Sequence, residues 1–275
     1  MTTIQSTFAG LPRTPSAYRR ARAAIAAEWI KLRSLRSIPV TLAVTVAQYV
    51  GFADLVASSN VANYRTLGAA GKAAFDPLFV STNFVQVGVI SFGVLGALVV
   101  TNEYGSGLIR TTFTATPQRI LVLAAKTGLL GLVAFLTSSV TVLLAFLTGQ
   151  AVLSGQVPSV GLGDPGVAVH LFGAVCYLTA AGLTGVFVGA LARSTAIAFT
   201  SVFGLFLVLP ILVDELPHNA AWRHVGPYLP SNAALSLWDR HAQGALGPTA
   251  GALTLLTYLV VLGTAAALSL RARDV

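Results

Sequence analysis

The sequence predicts an all-α, polytopic membrane protein with six transmembrane helices and both termini on the cytoplasmic side. Three observations carry this. The first is composition: 55% of the 275 residues are hydrophobic and 9% charged, with a mean hydropathy of +0.78. Soluble domains carry roughly 25% charged residues. The second is a set of six apolar runs, 38–58, 80–101, 120–149, 166–192, 195–213 and 249–270. Each is close to the length of about 20 residues that spans a bilayer. Lipid offers backbone groups no partner, so such runs form helices. The short alternating segments of a membrane barrel are not the pattern here. The third is charge placement. Thirteen Lys/Arg fall on the side of the termini, and only Arg65, Lys72, Arg223 and Arg240 on the other. The excess marks the termini side as cytoplasmic. It also assigns the net charge of +8 to membrane lipid rather than to nucleic acid.

Residues 1–16, rich in Thr, Ser and Pro, read as a disordered cytoplasmic tail, and 17–275 as one domain. Ser16 suits the N-cap of a helix. In that helix Tyr18, Ala21, Ile25, Trp29 and Leu32 share a stripe, with Arg19, Arg20, Lys31 and Arg33 off it. This is the pattern of a helix lying in the headgroup layer, with Trp29 as its anchor. Arg22 and Arg36 fall near the stripe and must snorkel. Pro39 suits the first turn of the first span. That run is too long, and starts too late, for a cleavable signal peptide, so none is expected. The gaps 59–79 and 150–165 read as external. Only Arg193 and Ser194 separate spans four and five, which predicts a tight antiparallel hairpin. The long gap 214–248 holds four prolines, too many for one helix. Within it, AALSLWDRHA follows LPSN and reads as a short helix capped by Ser231 or Asn232. Trp238 then sits in the outer interface, or the piece re-enters the membrane. Cys176 lies inside a span without a partner and reads as a packing residue. Gly185 and Gly189 form a small-xxx-small pair suited to close helix packing.

No chemistry of its own is legible in the chain. A P-loop needs GxxxxGK[ST]. Gly71-Lys72 is followed by Ala73, and Lys126-Thr127 is preceded by Ala125. Asp54 is the one carboxylate placed inside a predicted span, near its outer end. His170, His218, His224 and His241 all fall at or beyond outer span ends and read as solvated imidazoles. No HExxH zinc motif is present. No catalytic residue and no metal ligand is assigned. A protein with transport architecture and no engine points to an engine on another polypeptide.

The polar island TNEYGSGLIRTTFTATPQR, residues 101–119, lies between the second and third apolar runs. Its order is Glu103-Tyr104-Gly105-Ser106-Gly107, then Leu108-Ile109-Arg110-Thr111-Thr112, then Pro117-Gln118-Arg119 and Ala125-Lys126. This order resembles the type-2 ABC-exporter permease family. Ala27-Glu28-Trp29-Ile30-Lys31-Leu32-Arg33-Ser34 is similar to that family's E-x-x-K-L-R run. Leu229-Pro230-Ser231-Asn232-Ala233 is similar to a motif before its last span. The resemblance covers essentially the whole chain and makes 17–275 a single six-span permease domain.

It implies a non-catalytic membrane subunit paired with a separate cytoplasmic ABC ATPase. ATP and Mg would belong to that ATPase, with no cofactor on this chain. It also implies a second permease copy, identical or a sister. A coupling helix between helices two and three, within 106–116, would seat in an ATPase groove. Glu103, Tyr104, Gly105, Gly107, Leu108, Ile109, Arg110 and Phe113 are the expected coupling residues, with Leu108, Ile109 and Phe113 as apolar knobs. Glu28, Trp29, Lys31 and Arg33 are the expected interfacial-helix residues. Asn83, Gln86 and Phe203 are the expected pathway contacts, for a hydrophobic drug, lipid or peptide-like substrate. Arg outnumbers Lys 14 to 3, a high-GC bias that points to a bacterial plasma membrane. Two other classes remain open: a self-sufficient ion-coupled carrier around Asp54, and a membrane-embedded enzyme on the external Asp239/His241 face.

Overall fold

Each apolar run forms a helix in the computed structural model, which describes residues 16–34, 37–115, 118–215, 224–239 and 246–272. Ser16 apart, the predicted tail lies outside the described residues, as do His218 and His241. Among the described residues six stretches are long and apolar enough to cross a membrane: Pro39–Tyr64, Pro77–Gly105, Arg119–Leu153, Val167–Ala192, Thr195–Val213 and Pro248–Ala272. Among the described residues there is no strand.

In chain order the helices are α1 Ala17–Ser34, α2 Ser37–Tyr64, α3 Ala69–Ala73, α4 Pro77–Thr82, α5 Val85–Gly105 and α6 Leu108–Ala115. Then follow α7 Arg119–Leu153, α8 Val167–Ala192, α9 Thr195–Phe203, a π-helical turn Gly204–Val208, α10 Leu209–Glu215, α11 Pro230–Trp238 and α12 Pro248–Ala272. Several helices outrun their apolar stretch. A helix pairs its own backbone, so polarity does not end it; turn chemistry does. Thus α7 continues past 149 to Leu153 and stops before Gly155, whose φ is +76°. The second span is built from two pieces, α4 and α5, with the join at Asn83 and Phe84.

Helix α8 is the hub. Its span is 67% buried, against 17% for α12. Its closest neighbour is α5, because glycines line the crossing. A Cβ on Gly96 would run into the Gly182 carbonyl, and one on Gly185 into the Gly93 carbonyl. Without a water-driven hydrophobic effect, helices in lipid associate through such close van der Waals contact. The small-residue pattern around Gly185 and Gly189 is therefore the tightest seam of the bundle. The α8–α9 hairpin is as short as predicted, with Arg193 at φ 54° making the turn.

At the end of the bundle away from the termini, polar groups are locked into the core. Gln150 donates from Nε2 to Pro77 O at 2.8 Å and to Ser81 Oγ at 3.0 Å, and accepts from Val160 N at 2.8 Å. It joins α7, α4 and the following loop. Helix α11 starts at Pro230, and neither Ser231 nor Asn232 caps it. Ser231 instead donates to Phe206 O at 2.7 Å inside the π turn, and Asn232 to Gly226 O at 3.1 Å. A π turn shifts the hydrogen-bond ladder by one residue, which suits an outside donor at its carbonyl. Trp238 is packed inside the bundle. It is 1% exposed, stacked on Phe79 and edge-on to His170. His170 is buried too, its Nε2 2.7 Å from Thr82 Oγ1. The apolar packing of α11 against α8 draws the imidazole inward, which span position alone did not reveal. His224 is exposed, as expected.

The glycine seam yields a direct check. Gly96→Ala and Gly185→Ala should each lower the thermal stability of the purified protein by roughly 1–3 kcal/mol at the least, because a backbone carbonyl must move. Gly128→Ala, at an exposed site with nothing within 4 Å of the new Cβ, should be neutral or slightly stabilising.

Candidate functional site

At the end that carries the termini, four charges from three helices meet, three of them buried and the fourth, Lys31, with 24% of its side chain exposed. Glu28 and Lys31 come from α1, Glu103 from the last turn of α5, and Lys126 from the third turn of α7. Glu28 is 3% exposed, Lys126 4% and Glu103 7%. Lys126 Nζ donates to Glu103 Oε1 at 2.7 Å and also to Glu28 Oε2. Lys31 Nζ donates to Glu28 Oε1 at 2.8 Å, to Glu103 Oε1 at 3.4 Å and to Thr112 Oγ1 of α6 at 3.0 Å. Two carboxylates thus balance two ammoniums, and α1, α5, α6 and α7 are tied at one point. Burial disfavours the Lys31 ammonium, yet hydrogen bonds and charge from Glu28 and Glu103 outweigh it and raise its pKa above 10.5.

The sequence places these residues for local reasons. On α1, Ala24, Glu28 and Lys31 fall on one face, which packs on α7. Of the apolar stripe, Tyr18 is 74% exposed and Trp29 50%, while Leu32 packs against the core. Arg33 is also exposed. Helix α5 ends on Gly105, Ser106 is its C-cap, and Gly107 takes φ +72°. That left-handed residue turns the chain into α6, since a Cβ there would be strained. Gly105 has ordinary φ and only ends the helix.

On α6, Ile109 is 6% exposed, while Leu108 is 46% exposed. Ile109 and Thr112, three residues apart, face the bundle, so Ile109 is not presented outward as a knob. The side chains of Arg110 and Phe113 lie outside the described residues. Tyr104 sits under the Arg193 guanidinium, 5.5 Å from ring centroid to Cζ. Thr195 Oγ1 donates to Thr101 Oγ1 at 3.0 Å, pinning the α8–α9 hairpin to the same end. Arg119 donates to Leu270 O at 2.9 Å and closes the last helix onto α7.

Beside the charge cluster lies a cavity of about 710 Å³, walled by α2, α5, α6, α7 and α8 and reached by Leu32 of α1. Asn83, Gln86 and Phe203 do not line it. Asn83 is at the α4–α5 join, Gln86 accepts from the Tyr177 hydroxyl at 3.3 Å, and Phe203 stacks on Phe199. The structure does not bring these three into one site. Among the described residues no group of three or more His, Cys, Asp or Glu has metal-binding proximity.

Sequence reasoning missed Lys126 and Thr112 as members of the cluster and left Glu103 without a definite partner. The signal for Lys126 was present. A lysine seven residues into an apolar helix must find a counter-charge, and Glu28 and Glu103 were the nearby candidates on the same side.

Removing one charge strands the others. Lys126→Met should cost about 3–5 kcal/mol of stability, because a buried carboxylate loses its partner. The pair Glu103→Gln/Lys126→Met, which restores neutrality, should cost measurably less in the same thermal melt. Gly107→Ala should cost ~1–2 kcal/mol and Gly105→Ala nothing. The raised Lys31 pKa means its contribution is fully present below pH 10.5 and is lost only as pH rises through its higher folded value. Melts of wild type and Lys31→Met between pH 6 and 9 should therefore differ by a constant amount.

Compared with known protein-family models the chain matches none, and no curated protein matches it.

Proposed function

We propose that this chain is the membrane-spanning permease subunit of an ATP-driven ABC export system, working as a dimer in a bacterial plasma membrane with a separate cytoplasmic ATPase. The observation that carries the proposal is the seating of α6. This short helix lies between the second and third spans, is reached through a left-handed glycine, and is bonded to a buried charge cluster that joins three other helices. A helix held this way transmits a push from a docked partner into α1, α5 and α7 together, instead of absorbing it as a loop would. The positive excess on that side, the absence of a P-loop in the sequence and the resemblance of the 101–119 island support a cytoplasmic ATPase as that partner. Closure of the ATPases then rocks the two bundles and alternates access across their interface. A hydrophobic drug, lipid or peptide-like molecule suits the apolar walls.

A second reading, an ion-coupled carrier, draws on Asp54. Its Oδ1 is buried in α2 and has no hydrogen-bond partner among the described residues.

Purification of the tagged chain from its own cells in mild detergent separates the two. The export reading predicts a stoichiometric P-loop ATPase in the eluate, lost when Gly107→Val and Arg110→Ala are combined although the chain still inserts. A chain that elutes alone, with proton-dependent transport abolished by Asp54→Asn, would overturn it.

A further inference from the structure

Docking of α1 leaves two strips of that helix uncovered. Its rotation is fixed, because Glu28 and Lys31 are held in the charge cluster and Ala24 packs with them on α7. With 3.6 residues per turn, Ala21 and Leu32 fall at one edge of the docked face, and both are half-buried. Beyond that edge comes an apolar strip of Ile25, Tyr18 and Trp29, all exposed. Beyond it again comes a basic strip of Arg22, Arg33 and Arg19, all exposed too. Arg22 and Arg33 lie about 16 Å apart along the axis, so the two strips run side by side for most of the helix.

The basic strip has no counter-charge of its own. Glu28 is the one acid on α1, and it serves Lys31 and Lys126. Glu103 serves the same two lysines. Arg19, Arg22 and Arg33 have no ion-pair partner among the described residues.

A partner for this face must offer negative charge and an apolar phase within one side chain's reach of each other. An anionic phospholipid leaflet offers both, at the boundary between its phosphates and its acyl chains. A zwitterionic leaflet offers the apolar phase, but its own ammonium groups cancel the charge. An acidic protein surface offers the charge and leaves the apolar strip in water.

We propose that the uncovered face of α1 is a binding surface for anionic phospholipid of the adjoining leaflet, such as phosphatidylglycerol. Arg19, Arg22 and Arg33 meet its phosphates, and Ile25, Tyr18 and Trp29 enter its acyl boundary. Arg22 is then a phosphate ligand, placed beside the apolar strip by the docking of Leu32 on the other side. The surface belongs to the single chain and rests on no ATPase partner, so this proposal and the permease reading fail independently.

The test places the purified full chain in nanodiscs of phosphatidylcholine with a minor share of phosphatidylglycerol. Bromine on the acyl chains of one lipid or the other, at equal bromine content, quenches a nearby tryptophan. The Trp29 signal is the difference between wild type and Trp29→Phe. Brominated phosphatidylglycerol should quench it as though enriched at least about fivefold around α1, the effect of one arginine at the surface. The excess should vanish in Arg19→Gln/Arg22→Gln/Arg33→Gln, whose exposed side chains hold no partner in the fold. Arg22→Gln alone should lower it, and Arg20→Gln, the same charge change at the opposite edge of the docked face, should not. Equal quenching by the two brominated lipids would overturn the proposal in favour of an acidic protein surface. An excess that survives the triple variant, an equal loss in Arg20→Gln and Arg22→Gln, or a Trp29 quenched by neither lipid would overturn it as well.

Discussion

The mutual neutralisation of Glu28, Glu103 and Lys126, all buried, with the partly exposed Lys31 is the interaction on which the seating of α6 depends. Removing a carboxylate or an ammonium from water costs several kcal/mol per ion even after the protein relaxes. Glu28, Lys31, Glu103 and Lys126 therefore hold together as a set. None of the four can leave without stranding another. Because they come from α1, α5 and α7, and because Lys31 reaches Thr112, the set fixes where α6 lies. A purely apolar contact among the same helices would tolerate sliding. Hydrogen-bonded charges do not, since each donor must keep its acceptor within a few tenths of an ångström.

The glycine seam gives the cluster something rigid to stand on. Gly96 and Glu103 are seven residues apart on α5, about 10 Å along the helix axis. The close α5–α8 crossing thus immobilises α5 just below the turn that leads to α6. On the other side, Arg193 over the Tyr104 ring and the Thr195–Thr101 bond attach the α8–α9 hairpin to the same turn. Displacement of α6 is therefore felt by α1, α5 and α7 through charge and by α8 and α9 through packing. The opposite end of the bundle is locked by Gln150, Ser231 and His170.

The six long helices were legible because hydropathy is a long-range average. Six apolar runs of the right length survive any local detail. What was not legible depends on which way single residues face. Trp238 and His170 are side chains that favour interfaces, and only the docking of α11 buries them. On α1 the apolar stripe was clear, but the face that packs on α7, with Ala24, Glu28 and Lys31, was not, because no counter-charge had been sought for Lys126. Glu103 and Gly107 were expected to couple to a partner and Lys31 to belong to an interfacial helix; the structure places Glu103 and Lys31 in the charge cluster and Gly107 in the turn beside it, whereas Lys126 was read as one more positive charge on the termini side. Its depth inside α7 gave it a different meaning. Asn83, Gln86 and Phe203 were chosen by polarity or size within presumed lining helices. Polarity or size alone does not specify a shared face, and the three do not meet.

Electron-spin distance measurement between labels on α1 and α6 tests the central claim most directly. With Cys176 replaced by Ala, labels at the exposed positions Ala26 and Thr111 report the separation of the two helices in lipid nanodiscs. A single narrow distribution that broadens on Lys31→Met is the predicted result, because the Thr112 bond and one of the balancing charges are lost together. A distribution already broad in the parent, or one that stays equally narrow in Lys31→Met, would contradict the view that the buried charges hold α6 in place.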